Sequence, residues 1–267
     1  MNDPERIRRI ARTIFTSNIA QKPFQPLRGE NAPASLEEAY LIQDEVYRLF
    51  QEETDIGPLG GYKIALTSKA VQDLCGVHQP VGGCIFATTI RRSPQVLHAS
   101  DMSRVALEFE LAVEMARDVP ASNTPHTRTS MASYVGAIMP AFELIEDRLA
   151  DYSDLDAASI LTDRCWCAGV VLGEPIHDWQ AIDLSTCPAA LTWNGEVVDR
   201  GVTGDSMGHP FEGLAWVANH LAGRGRNLAT GDIVITGSAL KTQYAQVGDR
   251  VTYCIEGLGE TTVTIAA

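Results

Sequence analysis

Several patterns are missing from this 267-residue chain, and each absence removes a class of function. The six cysteines (Cys75, Cys84, Cys165, Cys167, Cys187 and Cys254) have neither zinc-finger nor thioredoxin spacing, and only Cys165-Trp166-Cys167 forms a close pair. The six histidines never fall into a His-x-x-x-His pair, so a histidine-rich metal site is not expected. No Gly-x-Ser-x-Gly is present to make a nucleophile elbow, and no Gly-x-Gly-x-x-Gly follows a strand to bind a dinucleotide. The N-terminal residues contain no long apolar run, so neither a secretory signal nor a membrane span is expected there. Free thiols in a reducing cytoplasm are the corresponding expectation. Lysine is scarce, with only Lys22, Lys63, Lys69 and Lys241. A formal charge of −13 argues against nucleic acid or an anionic membrane as partner.

What remains is a soluble-looking composition, 45% hydrophobic and 21% charged, long enough to bury a full core. Asp3-Pro4 reads as N-cap and first helical residue, followed by a stripe of Ile7, Ile10, Ala11 and Ile14. Ser35-Leu36-Glu37-Glu38 reads as a capping box opening a second helix, which Gly57-Pro58-Leu59-Gly60-Gly61 breaks. The period then changes to two: Tyr62, Ile64 and Leu66 alternate with Lys63, Ala65 and Thr67. Ser68 can cap a short helix ended by Gly76. The polar stretch 118–130 reads as a mobile loop. Trp193-Asn194-Gly195-Glu196 is a hairpin signal. A helix is expected to start at Pro210 and end at Gly223, and strands are expected at 233–236, 250–255 and 261–265. The fold class is α+β, with an N-terminal helical region over 1–60 and a strand-rich domain over 61–267.

The chemistry centres on Leu107-Glu108-Phe109-Glu110-Leu111. As a strand, this run sends Val105, Leu107, Phe109, Leu111 and Val113 to one face and both glutamates to the other. Paired carboxylates over an apolar face repel, and burying their charge is costly unless a cation neutralises it. Ala141-Phe142-Glu143-Leu144-Ile145 offers a third carboxylate among apolar neighbours. An all-oxygen set suits Mg²⁺, Mn²⁺ or Ca²⁺ better than zinc. The same spacing also suits an amphipathic helix with solvated glutamates. A strand lysine such as Lys63 is by default an exposed edge residue, yet beside a metal it can move protons or hold a carboxylate. Lys69 is expected on the solvent face of its short helix, and Cys165 and Cys167 as buried thiols.

Gly61-Tyr62-Lys63-Ile64-Ala65-Leu66-Thr67-Ser68-Lys69 resembles the Gly-Tyr-Lys-Ile-Gly-Leu-Thr-Ser-Lys run of one branch of the fumarylacetoacetate hydrolase superfamily. That branch contains the 2-keto-4-pentenoate hydratases and 4-oxalocrotonate decarboxylases. Glu108-x-Glu110, Pro140 to Glu143, Gly208 to Trp216 and Gly231 to Ser238 resemble it as well. Some places depart from its pattern: Val81 stands where many relatives have Asp, Thr162-Asp163-Arg164 stands where the superfamily often has Ala-Asp-Asn and is followed by Cys165-Trp166-Cys167, and Leu107 stands where Val or Pro is more usual.

The resemblance implies a mixed, rolled β-sheet with Glu108, Glu110 and Glu143 as ligands of Mg²⁺ or Mn²⁺. It implies Lys63 as acid/base or carboxylate partner, and Lys69, Asp163 and Ser238 as substrate contacts. It also implies a 2-oxo or 2-enol acid substrate from aromatic catabolism, and a homo-oligomer, alone or complexed with a related enzyme. Hydration of a 2-hydroxyalka-2,4-dienoate ranks first. Decarboxylation follows, then C–C hydrolysis of an acylpyruvate or fumarylacetoacetate, for which the only His-x-x-Glu is His209 to Glu212. A non-catalytic partner subunit is the rival from another class.

Overall fold

The computed structural model describes residues 3–120, 122 and 124–267. Two helices lead, α1 (Pro4–Ile19) and α2 (Leu36–Glu53). They are followed by β1 (Leu59–Ala65), α3 (Lys69–Leu74), β2 (Val81–Phe86), β3 (Ile90–Arg92), β4 (Gln95–His98) and β5 (Val105–Met115). Next come α4 (Arg128–Met131), β6 (Val135–Ile145), α5 (Ala157–Thr162), β7 (Cys167–Leu172), β8 (Pro188–Trp193) and β9 (Glu196–Val202). The chain finishes with α6 (Pro210–Gly223), β10 (Ile233–Ser238), β11 (Gln243–Ala245), β12 (Arg250–Ile255) and β13 (Gly259–Ala266). No helix among the described residues is long and apolar enough to cross a membrane.

Local chemistry explains most boundaries. Asp3 accepts the Glu5 amide and Pro4 opens α1. The Ser35 hydroxyl accepts the Glu38 amide at 3.2 Å, but the expected capping box is only half made. Glu38 turns instead to the Ala34 amide at 2.6 Å and to Arg6, because α1 packs alongside and offers a cation. Asn194 and Gly195, with φ of 52° and 91°, make the turn joining β8 to β9, as two-residue hairpins demand. The 118–130 stretch is not wholly loop. Its last residues enter α4, Asn219 brackets the main chain of His126, and Ala121 and Asn123 lie outside the described residues.

The strands form two mixed sheets. One runs β2-β1-β10-β5-β6-β7-β3, with β11 also on β5; the other runs β4-β13-β12-β8-β9. Phe109 of β5 and Phe142 of β6 meet Tyr253 of β12 between the sheets, with ring centroids 5.7–6.4 Å apart. Each such ring contributes roughly 1.5–3 kcal/mol by leaving water. On its other face the first sheet rolls on itself. Ile85 of β2 and Val170 of β7, from near opposite ends of the strand order, share a cluster with Ala112, Ala141 and Ile235. Ala112, Ala137 and Ala141 alternate there with larger Met139, Leu172 and Ile233, so small and large side chains interdigitate inside the roll. The N-terminal helices cover β2 through Phe15, Phe50 and Phe86. The Gln43 side-chain amide ties α2 to Gly82 and Leu161 carbonyls at 3.1 and 2.8 Å.

Candidate metal centre

The glutamate run is a strand, not a helix. Glu108 lies directly opposite Glu143 in the β5–β6 ladder, and Glu110 lies opposite Ala141. All three carboxylates therefore leave the sheet on the same face, with one oxygen from each within 4.8 Å of the others. The face is open because the neighbouring ladder is interrupted. β10 leaves β5 at the Ser238–Glu110 pair, and β11 rejoins it at Gln243–Leu107. The turn between them supplies donors. The Gly237 amide donates to Glu110 Oε2 at 2.6 Å, and the Thr242 hydroxyl donates to Glu108 Oε1 at 2.9 Å. Gly237 has a φ of 102°, and a Cβ there would sit 2.2 Å from Ser206 Oγ. Glycine is thus required where the chain bends toward Glu110.

Lys63 overturns the expectation for a strand lysine. It lies in β1 between β10 and β2, and its side chain is only 2% exposed. Its Nζ is 2.5 Å from Glu143 Oε1 and donates to the Cys165 carbonyl at 3.2 Å. That carbonyl is delivered by a strained turn in which Arg164, Cys165 and Trp166 have φ of 58°, 51° and 59°. Left-handed backbone costs side-chain-bearing residues about 1–2 kcal/mol each, so the surrounding packing must hold this turn in place.

The charges do not balance. Burial pushes the Glu110 and Glu143 carboxyls up, with neighbouring carboxylates adding to the effect; Glu143 rises to about 7 even beside Lys63. Burial works to lower the Lys63 pKa, but Glu143 and Glu108 outweigh it and hold the ammonium above its ordinary range. Glu110 Oε1 and Glu143 Oε2 are buried without any hydrogen-bond partner among the described residues. Three carboxylates against one ammonium leave two negative charges, which one divalent cation would neutralise. Orphaned, hard oxygen atoms facing one another are the donor set Mg²⁺ and Mn²⁺ take, so the residues fit the ion the sequence implied.

Lys63, Glu108 and Ser238 line a cavity of about 580 Å³. The Ser238 hydroxyl is committed to main chain, accepting the Phe109 amide at 2.8 Å and donating to the Leu240 carbonyl at 2.9 Å. Two expected substrate contacts lie elsewhere. Lys69 is on α3 with its side chain 70% exposed and paired to Asp73, a turn away on the solvent face. Asp163 is buried, with one oxygen on Arg148 and the other accepting from Asn18 at 2.6 Å. Its role is to tie α1 to the loop after β6, because a buried carboxylate takes the cation nearest to hand. Of the departures from the family pattern, Trp166 does form cavity wall. Arg164 points away, over the Phe50 ring and onto Asn18. Val81 is buried against Tyr40 and Leu161. The Cys165 thiol is pushed up to about 12 by burial and the Cys167 thiol higher still, so both stay protonated. Neither Thr242 nor the Cys165 carbonyl is legible in the sequence, since main-chain groups and a lone hydroxyl leave no pattern.

A rolled mixed sheet that brings half-buried Glu108 and buried Glu110 and Glu143 together beside one lysine presents a donor set that could hold a divalent cation next to a cavity. The chain belongs to the fumarylacetoacetate hydrolase family: the Fumarylacetoacetate (FAA) hydrolase C-terminal pattern matches residues 70–266. It is 30% identical over 262 residues to the 2-keto-4-pentenoate hydratase of Paraburkholderia phymatum, covering 97% of both chains. It is 27% identical over 261 residues to the 2-hydroxyhexa-2,4-dienoate hydratase of Comamonas testosteroni, again covering 97% of both. Its fold matches the 4-oxalocrotonate decarboxylase from Pseudomonas putida G7, solved with magnesium and adipate. That match has a TM-score of 0.90 at 23% identity and covers 99% of both chains. The two relatives compared by sequence are hydratases, and the decarboxylase match shows the shared fold.

Proposed function

We propose that this protein is a metal-dependent hydratase that adds water to a 2-hydroxyalka-2,4-dienoate, giving a 4-hydroxy-2-oxo acid. The observation that carries the reading is the convergence of half-buried Glu108 with buried Glu110 and Glu143, with Lys63 Nζ 2.5 Å from a Glu143 oxygen. Hydratase names among full-length relatives support the same choice. Mg²⁺ or Mn²⁺, held by the three glutamates, would supply chelation of the substrate's carboxylate and 2-oxygen and draw electron density from the conjugated chain.

The chain's own residues do the rest. Lys63, fixed by Glu143 and the Cys165 carbonyl, is the group placed to move a proton. It delivers one to C5 of the dienol and recovers one from the 2-hydroxyl, leaving a 2-oxo-3-enoate. Water then adds across C3 and C4, hydroxyl to C4 and proton to C3. Thr242 and Gly237 orient Glu108 and Glu110 through the whole sequence.

Decarboxylation is the second reading, favoured by the full-length fold match to a decarboxylase. C–C hydrolysis ranks below both. His209 Nδ1 is occupied by the Phe211 amide, Glu212 faces Arg128, and neither residue lines the cavity. A non-catalytic subunit would have no use for two orphaned carboxylate oxygens. A homo-oligomer in the cytoplasm belongs to the same proposal, and light scattering tests the assembly.

The deciding experiment is an ultraviolet assay of the purified chain with 2-hydroxypenta-2,4-dienoate and 2-hydroxymuconate, with and without Mg²⁺. The expected result is metal-dependent loss of the dienoate with a 4-hydroxy-2-oxo acid as product. Release of CO₂ from 2-hydroxymuconate would favour the decarboxylase. No turnover of either compound would overturn the proposal.

A further inference from the structure

Pockets of about 300–1,000 Å³ enclose drug-sized ligands. The cavity in front of Glu108 measures about 580 Å³, so a five-carbon acid leaves most of it unfilled. The walls of the unfilled part are of two kinds. Those out of water are apolar: Cys75, Ile145, Ile160 and Trp166 are each no more than 7% exposed. Those at the rim are mixed. Val71 and Leu74 of α3 stand 39% and 53% exposed, and Arg200 and Lys241 are also solvent-facing. Apolar side chains left exposed around a cavity mouth mark a surface that something apolar covers.

A substrate with a second carboxylate at its far end has no good place in this cavity. Among the described residues Lys63 is the one buried cation lining it, and Glu143 already neutralises that charge. A carboxylate against Ile160 and Trp166 would be desolvated with no cation beside it, the one unused donor of these two side chains being Trp166 Nε1, itself shut away from solvent. At the rim, Arg200 and Lys241 face water, where an ion pair is screened and weak. An apolar chain meets neither cost.

We infer that the substrate carries an apolar alkyl or aryl chain on its distal carbon, laid against Ile160, Leu155, Trp166 and Leu74. This deepens the hydratase reading and rests on the metal centre proposed there.

The test is calorimetric binding of unreactive 2-oxo acids to the full chain saturated with Mg²⁺. Pyruvate, 2-oxooctanoate and 2-oxoadipate are compared. Each buried methylene is worth about 0.8 kcal/mol, roughly fourfold in affinity, so two buried methylenes give about 16-fold. 2-Oxooctanoate should therefore bind at least tenfold more tightly than pyruvate. Leu74→Asp, at an exposed position, should cut that ratio severalfold. Equal affinities of pyruvate and 2-oxooctanoate would overturn the inference while leaving the metal centre standing. So would tighter binding of 2-oxoadipate than of 2-oxooctanoate. Failure of all three acids to bind would overturn both the metal-centre reading and this one.

Discussion

The turn from Asp163 to Trp166 joins two clusters of buried charge that are built on opposite principles. On one side, Asp163 and Arg148 are 3% and 6% exposed at their side chains. Asn18 takes the second carboxylate oxygen, and a further Arg148 nitrogen donates to the Lys22 carbonyl at 2.7 Å. Charge cancels and both carboxylate oxygens are used. On the other side, the Cys165 carbonyl steadies Lys63 beside three glutamates, with two carboxylate oxygens unpartnered and charge in excess. The closed cluster holds two parts of the chain together. The open one keeps its unsatisfied oxygens for a ligand. Burial alone does not separate a structural ion pair from a site, and neither does one orphaned donor, since Arg148 Nε also lacks a partner among the described residues; uncancelled charge on unpartnered carboxylates does.

The largest expected effect lies at Lys63. If it moves the proton, Lys63→Ala should lower kcat by about 10²–10⁴-fold. Lys63→Arg should fail about as badly, because guanidinium keeps the charge but does not release its proton. Near wild-type kcat in the arginine variant would reduce Lys63 to an electrostatic clamp. Because the lysine is buried against Glu143, the alanine variant should also melt lower than wild type in chelator, and Mg²⁺ should restore part of the loss.

The next prediction contrasts the clusters directly. Asp163→Ala leaves Arg148 uncompensated and should cost about 3–5 kcal/mol in denaturant unfolding, with little change in Mg²⁺ affinity. Glu110→Gln removes a charge from an over-charged cluster. In chelator it should be as stable as wild type or more so, while Mg²⁺ binding by calorimetry and turnover both collapse. Loss of stability of the same sign and size in both variants would erase the distinction.

A pH scan sharpens it further. Folding raises the Glu110 and Glu143 carboxyls through burial, so between the ordinary value of 4.5 and about 7 the folded chain holds protons that the unfolded chain has released. Stability of the cation-free protein should then fall as pH rises through that window. Saturating Mg²⁺ should flatten the slope, since the ionised carboxylates gain their partner. Melting temperatures against pH, in chelator and in Mg²⁺, check this. The smallest effect belongs to Lys69→Ala, which breaks an exposed pair with Asp73 and should leave both melting temperature and kcat within error of wild type.

Much of the scaffold can be read from local chemistry. Asp3-Pro4, Ser68 and Pro210 mark helix starts, and Asn194-Gly195 marks the hairpin, because caps and turns depend on residues within a few positions of one another. The face shared by Glu108 and Glu110 follows from the two-residue period of a strand, and the lysine run and Glu-x-Glu carried the family. What the sequence could not decide was which charges face each other across the fold. Lys63 looked like an edge lysine until β1 was found between β10 and β2. The resemblance offers Asp163 as a substrate contact, whereas in the fold Asn18 of α1 and Arg148 of the post-β6 loop take both its carboxylate oxygens. Even the opening of the site, where β10 leaves β5 and β11 resumes, is set by a ladder between segments more than a hundred residues apart. Pairing of that kind is fixed by the register of whole sheets, and no local pattern records it.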